Sequence, residues 1–234
     1  MNEDKMILKF GLYSSLSLTL LTIITWGFAM TAVPPAGPYC PADCMSYPFA
    51  DILSYYPRDY YWMYLSIFQL FAYLLFIVSN HFIAPIEKKL FSFISVTFAL
   101  ISAIVLLIAY FVQFSVVPIS MMKGETDGIA LITQYNGHGI FIALEELGYI
   151  TMSISFLFLA MVFSKKNRLE KAIRLILIIS PLLTGLSFIL YSIKFGIDRS
   201  YRFEVVTITI NWLITITIGI LISIVIKNRL KMIK

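Results

Sequence analysis

Charge is what this chain has least of. Only 13% of its 234 residues are Asp, Glu, Lys or Arg, against about 25% in a soluble domain. Hydrophobic residues make up 59%, and the mean hydropathy is +0.87. An aqueous protein with so little charge and so much apolar surface aggregates. A disordered chain is polar and charge-rich. Both classes are excluded, and a polytopic membrane protein is the class that fits. Metal and cofactor motifs are scarce too. There is no Gly-x-x-x-x-Gly-Lys-Ser/Thr loop, no His-Glu-x-x-His and no Gly-x-Ser-x-Gly turn. Respiratory haem wants paired histidines at matched depth. Only His81 and His138 exist, and the topology below puts them on opposite sides. The same separation argues against a four-ligand zinc site. A retinal-type lysine would sit mid-span, whereas Lys194 falls at a span end. No basic stretch interleaved with aromatics offers a nucleic-acid face. We expect no metal, no cofactor and no nucleic-acid partner.

Six apolar runs are present, at 8–33, 62–84, 91–117, 139–163, 172–193 and 205–226. A bilayer-spanning helix needs about 20 apolar residues at 1.5 Å rise each. Barrel strands would alternate with period 2 over about 10 residues. These runs do not alternate, so helices are expected. That holds even for the β-branched Val205-Val-Thr-Ile-Thr-Ile, because lipid leaves no other partner for the backbone. The expected fold is all-α, a single six-helix transmembrane domain. Of the 18 Lys and Arg residues, 13 fall at the termini, in the turn near Glu87 and around 164–174. By the positive-inside rule both termini are cytoplasmic, and the plasma membrane is the expected location. A cleaved signal peptide in the first run, with Ala29-Met-Thr-Ala32 as its site, is the rival reading. It would leave five spans. No inverted repeat is visible between the halves.

The long first outer loop, 34–61, holds six prolines, nine aromatics counted to Tyr64, and both cysteines. Cys40-Pro-Ala-Asp-Cys44 reads as a structural disulfide on an oxidising face. A redox dithiol would favour Cys-x-x-Cys. The aromatics read as an interfacial belt. A sharper alternative is that the loop folds back as a cap, with Asp51-Ile-Leu-Ser-Tyr-Tyr as one helical turn.

Polar residues inside a span are costly and mark function or helix pairing. Gln69, Tyr110, Gln113, Glu145, Glu146 and Asn211 all fall about 6–10 Å from the outer boundary, so they form one layer. Glu145-Glu146 is its strongest signal. Adjacent helix positions are about 100° apart, so the two cannot share one direction. His138 is seven residues before Glu145, on nearly the same face. Lys194 is the expected basic partner, with Arg199, Arg202 and Arg58 on the same side. Three readings are open: interhelical glue, an outward-open ligand or transport cavity, or an acid/base site joining a glutamate to His138 or Tyr149. In span five, Pro181 and Gly185 suggest a kink and a close helix approach.

The stretch Gln134-Tyr-Asn-Gly-His-Gly-Ile-Phe-Ile-Ala-Leu-Glu-Glu-Leu-Gly-Tyr149 resembles one in small six-span membrane proteins of bacteria and archaea. Ile197-Asp-Arg-Ser-Tyr-Arg-Phe-Glu204 and Asn211-Trp212 are similar too. No activity, substrate or cofactor attaches to that group, so the resemblance implies the six-span layout alone. The working expectation is a polar pocket around Glu145 and Glu146 that binds or transports a small molecule or lipid. The alternatives are a membrane-embedded enzyme acting on a lipidic substrate, and a non-catalytic partner or assembly protein that uses the aromatic loop.

Overall fold

The computed structural model describes residues 2–32, 34–165 and 167–233. Val33, expected as a span end, and Lys166 and Lys234, expected on the side of the termini, lie outside the described residues. The described residues form eight α-helices, four short 3-10 turns and no strand. The α-helices are α1 (Asn2–Ala29), α2 (Tyr61–Ile83), α3 (Lys89–Ser115), α4 (Val117–Lys123), α5 (Ile129–Ile132), α6 (Ile140–Ala160), α7 (Arg168–Phe195) and α8 (Tyr201–Met232). Six of them, all but α4 and α5, are long and apolar enough to cross a membrane. The expected runs match these six to within a few residues, except that α1 starts six residues before its run and α7 and α8 continue past theirs at both ends. α7 starts early because the Asn167 side chain accepts from the Leu169 amide at 2.9 Å, capping its first turn. The β-branched run of α8 is helical throughout, as expected.

The six long helices close into a ring in the order α1, α2, α3, α6, α7, α8, with α6 also touching α8. Ring neighbours run antiparallel. Ser14 meets Ser79 and Gln69 donates to Thr22 between α1 and α2. Ser95 meets Ser155, and Ser102 donates to the Gly148 carbonyl, between α3 and α6. Phe188 packs on Phe203 and Arg229 pairs with Glu170 between α7 and α8. The termini therefore share one end of the bundle. The opposite end is called distal below.

Small residues allow the closest approaches. A Cβ on Gly148 would strike Leu106 of α3, and one on Gly219 would strike Thr19 of α1. Serine hydroxyls at these contacts turn inward to backbone carbonyls, so close packing leaves few polar groups unmet. Gly185 behaves otherwise: nothing lies within 4 Å of where its Cβ would be. The expected close approach there is not found. α7 runs uninterrupted through Pro181 on the perimeter, and it lines no part of the cavity described below. Leu182, Leu186, Ile189 and Ile193 of this helix are exposed.

The distal end is covered. Residues 34–60 fold against α4 and α5 around a small core of Phe49, Ile52, Val117, Ile129 and Tyr135. Of the loop aromatics, Phe49 and Tyr55 build the cap, Tyr56, Tyr60 and Trp62 pack on the core of the bundle, and Tyr39, Tyr47, Tyr61 and Tyr64 stay exposed. Ile52–Tyr55 forms one 3-10 turn, where the sequence suggested a helical turn. Cys40 and Cys44 form the expected disulfide, with Cα atoms 5.9 Å apart. α4 and α5 were not expected. Pro118 opens α4, and Gly124 ends it in the left-handed conformation at φ 72°, as helix-terminating glycines do.

Candidate functional site

Beneath the cap lies a cavity of about 410 Å³, within the usual range for small-molecule pockets. Its walls come from the distal ends of α1, α2, α6 and α8, and its roof from the cap. Trp26, Trp62 and Trp212 line it, and the chain has no other tryptophan. Trp212 meets Trp26 at 6.2 Å and Trp62 at 6.4 Å between centroids, with interplanar angles of 62° and 66°. Stacked rings would each cover a face of the other, whereas an edge-to-face contact covers a face of only one ring. The Trp212 indole is fixed by donating to the Tyr149 hydroxyl at 3.0 Å, which also meets the Tyr110 hydroxyl at 3.0 Å.

Three acids line the same space: Asp59, Glu145 and Glu204. Among the described residues no Lys, Arg or His does. Asp59 has a cation behind it, since Arg58 Nε donates to Oδ1 at 2.9 Å. Glu145 has none. The residue is wholly buried, and neither carboxyl oxygen has a hydrogen-bond partner. It faces the Tyr110 hydroxyl and the Glu204 carboxyl. These are close enough to interact but not in bonding geometry. Glu204, in the first turn of α8, is also buried and forms no ion pair with a described residue. Among the groups outside the long helices, burial pushes the Tyr135 phenol well above its ordinary range and raises that of Tyr39. Both stay neutral near pH 7, so the carboxyls alone set the cavity's charge.

The exposed residues among the lining are Met30, Pro34, Tyr39 and Val205. They mark a mouth at the side of the bundle, between the end of α1 with its following loop and the start of α8. The roof is tied down by two contacts of Tyr201. Its hydroxyl donates to the Gln134 carbonyl at 3.1 Å. Its ring lies where a Cβ on Gly37 would go, and Gly37 itself has φ 72°. Only glycine suits both demands.

Of the residues expected to share a polar layer, only Glu145 reaches the cavity. Glu146, one position on, points to the turn after α7, where Arg199 Nη2 donates to it at 3.0 Å. Lys194, expected as the basic partner, instead lies 5.2 Å over the Phe195 ring and is exposed. Arg199 takes that role because the turn after α7 brings it back over the helix end. Gln69 bonds Thr22. Gln113 holds the 132–134 loop, donating to the Ile132 carbonyl and accepting from the Gln134 amide. Asn211 donates to the carbonyls of Tyr149, at 3.2 Å, and Thr207, at 2.9 Å. Those three are interhelical or cap ties, and Tyr110 supports Tyr149. His138 is exposed and precedes α6, which begins at Ile140. It is therefore not on the helical face that carries Glu145, and the His138–glutamate pairing is not assembled. Among the described residues no cluster of three or more metal-ligating side chains occurs.

Sequence reasoning missed Glu204 and Asp59. Glu204 marks the outer boundary of the last run, where a carboxylate is ordinarily solvated, and Asp59 falls in the long outer loop, where nothing singles it out. Depth gave no signal for Glu204, which stands two turns before Asn211 on α8, about 10 Å nearer the boundary than the level assigned to Glu145. Comparison of the chain with family models, curated proteins and solved structures gives no match.

Proposed function

We propose that the protein is a multi-pass protein of the plasma membrane, with both termini in the cytoplasm, and that the distal cavity is a binding site for a small amphiphilic molecule. The six apolar helices and the apolar perimeter support insertion. The distribution of basic residues supports the orientation. The observation that carries the site is Glu145. A wholly buried carboxyl with two unpartnered oxygens is expensive, and one that lines a cavity of ligand size has a reason to be kept. The lateral mouth favours a ligand that arrives from the distal leaflet. Neither the enzyme reading nor the partner reading gains a comparable observation. Glu145 faces the Glu204 carboxyl and the Tyr110 hydroxyl, but no histidine, cysteine or cation stands among the described lining residues, and the loop aromatics divide between the cap, the bundle core and the surface.

Thiol labelling tests this reading, because both native cysteines are in the disulfide. In membranes, a cysteine at Ile208, which lines the cavity, is expected to react with N-ethylmaleimide. Cysteines at Ser95, buried between helices, and at Ile220, on the apolar perimeter, are expected to stay unreactive. An unreactive Ile208→Cys in a folded protein refutes an accessible cavity. A reactive Ile220→Cys refutes insertion.

A further inference from the structure

We infer that the ligand of this cavity is an organic cation, an amine or quaternary ammonium group carried on an apolar body. The inference rests on the ligand-site reading above and names the chemistry of the ligand. Two carboxyls, Glu145 and Glu204, line the cavity without a cationic partner. Apolar surroundings do not tolerate uncompensated charge. The chain does not lack cations at this end, but it places them elsewhere. Arg58 pairs with Asp59 and Arg199 with Glu146. Arg202 lies 4.3 Å over Phe195, and Lys194 lies over the same ring. The acids inside are left for a charge from outside the chain.

The walls add a second and independent preference. Three indoles meet edge to face at the cavity. Tryptophan faces attract cations better than any other side-chain ring, and quaternary ammonium groups are the ligands typically held in such cages. An anion would meet three acids and no donor cation. A neutral apolar molecule would leave the two carboxyls only each other, with a proton in place of a counter-charge. A cation that leaves its body in the mouth beside Met30 and Val205 satisfies the acids, the indoles and the lateral entry together.

Because all three tryptophans line the cavity, intrinsic fluorescence of the purified full chain reports on this site alone. The probe is benzyltrimethylammonium, and the comparison is neopentylbenzene, its uncharged carbon isostere. The expected result is a saturable emission change with the cation and at least tenfold weaker binding of the isostere. Glu145→Gln combined with Glu204→Gln is expected to weaken the cation at least tenfold. If that double variant fails to fold, Glu204→Gln alone carries the comparison. Equal responses to the two compounds would overturn the cation inference and leave an apolar ligand site. No response to either, with Ile208→Cys still reactive, would overturn it too. No response with Ile208→Cys unreactive would remove the ligand site itself.

Discussion

Two adjacent glutamates should respond to the same substitution with opposite signs. Glu146 is paired with Arg199 at 3.0 Å, the two side chains being 13% and 24% exposed. Glu146→Gln keeps the shape but removes the charge, leaving a guanidinium without its anion. For a pair this far out of water the loss is about 1–2 kcal/mol, between the values for exposed and fully buried pairs. Glu145 has no such partner, and both its oxygens are unmet. The folded protein already bears the cost of that carboxyl, about 1–3 kcal/mol for a buried unsatisfied group. A glutamine there retains part of the penalty but carries no charge, so Glu145→Gln should stabilise by about 1 kcal/mol. For a chain of this length 1 kcal/mol corresponds to about 2–4 °C in Tm. Thermal unfolding of the detergent-solubilised variants, followed by tryptophan emission, would measure both. We expect Glu145→Gln to melt above the parent and Glu146→Gln below it. If Glu145→Gln melts lower than Glu146→Gln, Glu145 is a structural partner and the ligand-site reasoning fails.

Other expectations follow from the packing. Gly219→Leu should destabilise by about 1–3 kcal/mol, because the new side chain meets Thr19 and the Ser15 carbonyl and forces α1 from α8; a Tm unchanged within a degree would contradict that contact. Tyr149→Phe removes the acceptor of the Trp212 N–H and the partner of Tyr110. It should cost about 0.6–1.7 kcal/mol, as membrane hydrogen bonds do, and shift the tryptophan emission, whereas Tyr191→Phe should do neither. Replacing Cys40 and Cys44 by serine opens a short exposed loop worth about 2 kcal/mol in chain entropy. Hydrogen exchange should quicken in residues 34–60 and stay unchanged in α3 and α6; equal loosening of both would show that the cap is not a separate unit.

The long helices were legible because lipid-type hydrophobicity and the backbone constraint leave one solution for runs such as 91–117. The disulfide was legible from its spacing. The cap was half legible. Pro34 to Pro57 forbade regular helix, but the partner of this loop, the segment from Val117 to Ile132, lies some 70 residues on and nothing local announces their shared core. For the site, depth along each helix placed Glu145 and Asn211 at one level but said nothing of azimuth. Rotation about the helix axis sends Glu145 inward and Glu146 to Arg199. It turns Asn211 onto backbone carbonyls. Glu204 was hidden by its place in a first turn, which the folded cap then buries.

Glu145 and Glu204 share a cavity without a cationic partner among the described residues, while Glu146 has one in Arg199. Treating the protein in its membrane with a lipid-soluble carbodiimide, then mapping the modified carboxyls by mass spectrometry, tests this directly. The account predicts modification at Glu145 or Glu204, protection by benzyltrimethylammonium, and none at Glu146. Modification confined to Glu146, with Glu145 and Glu204 silent in a folded protein, would contradict it.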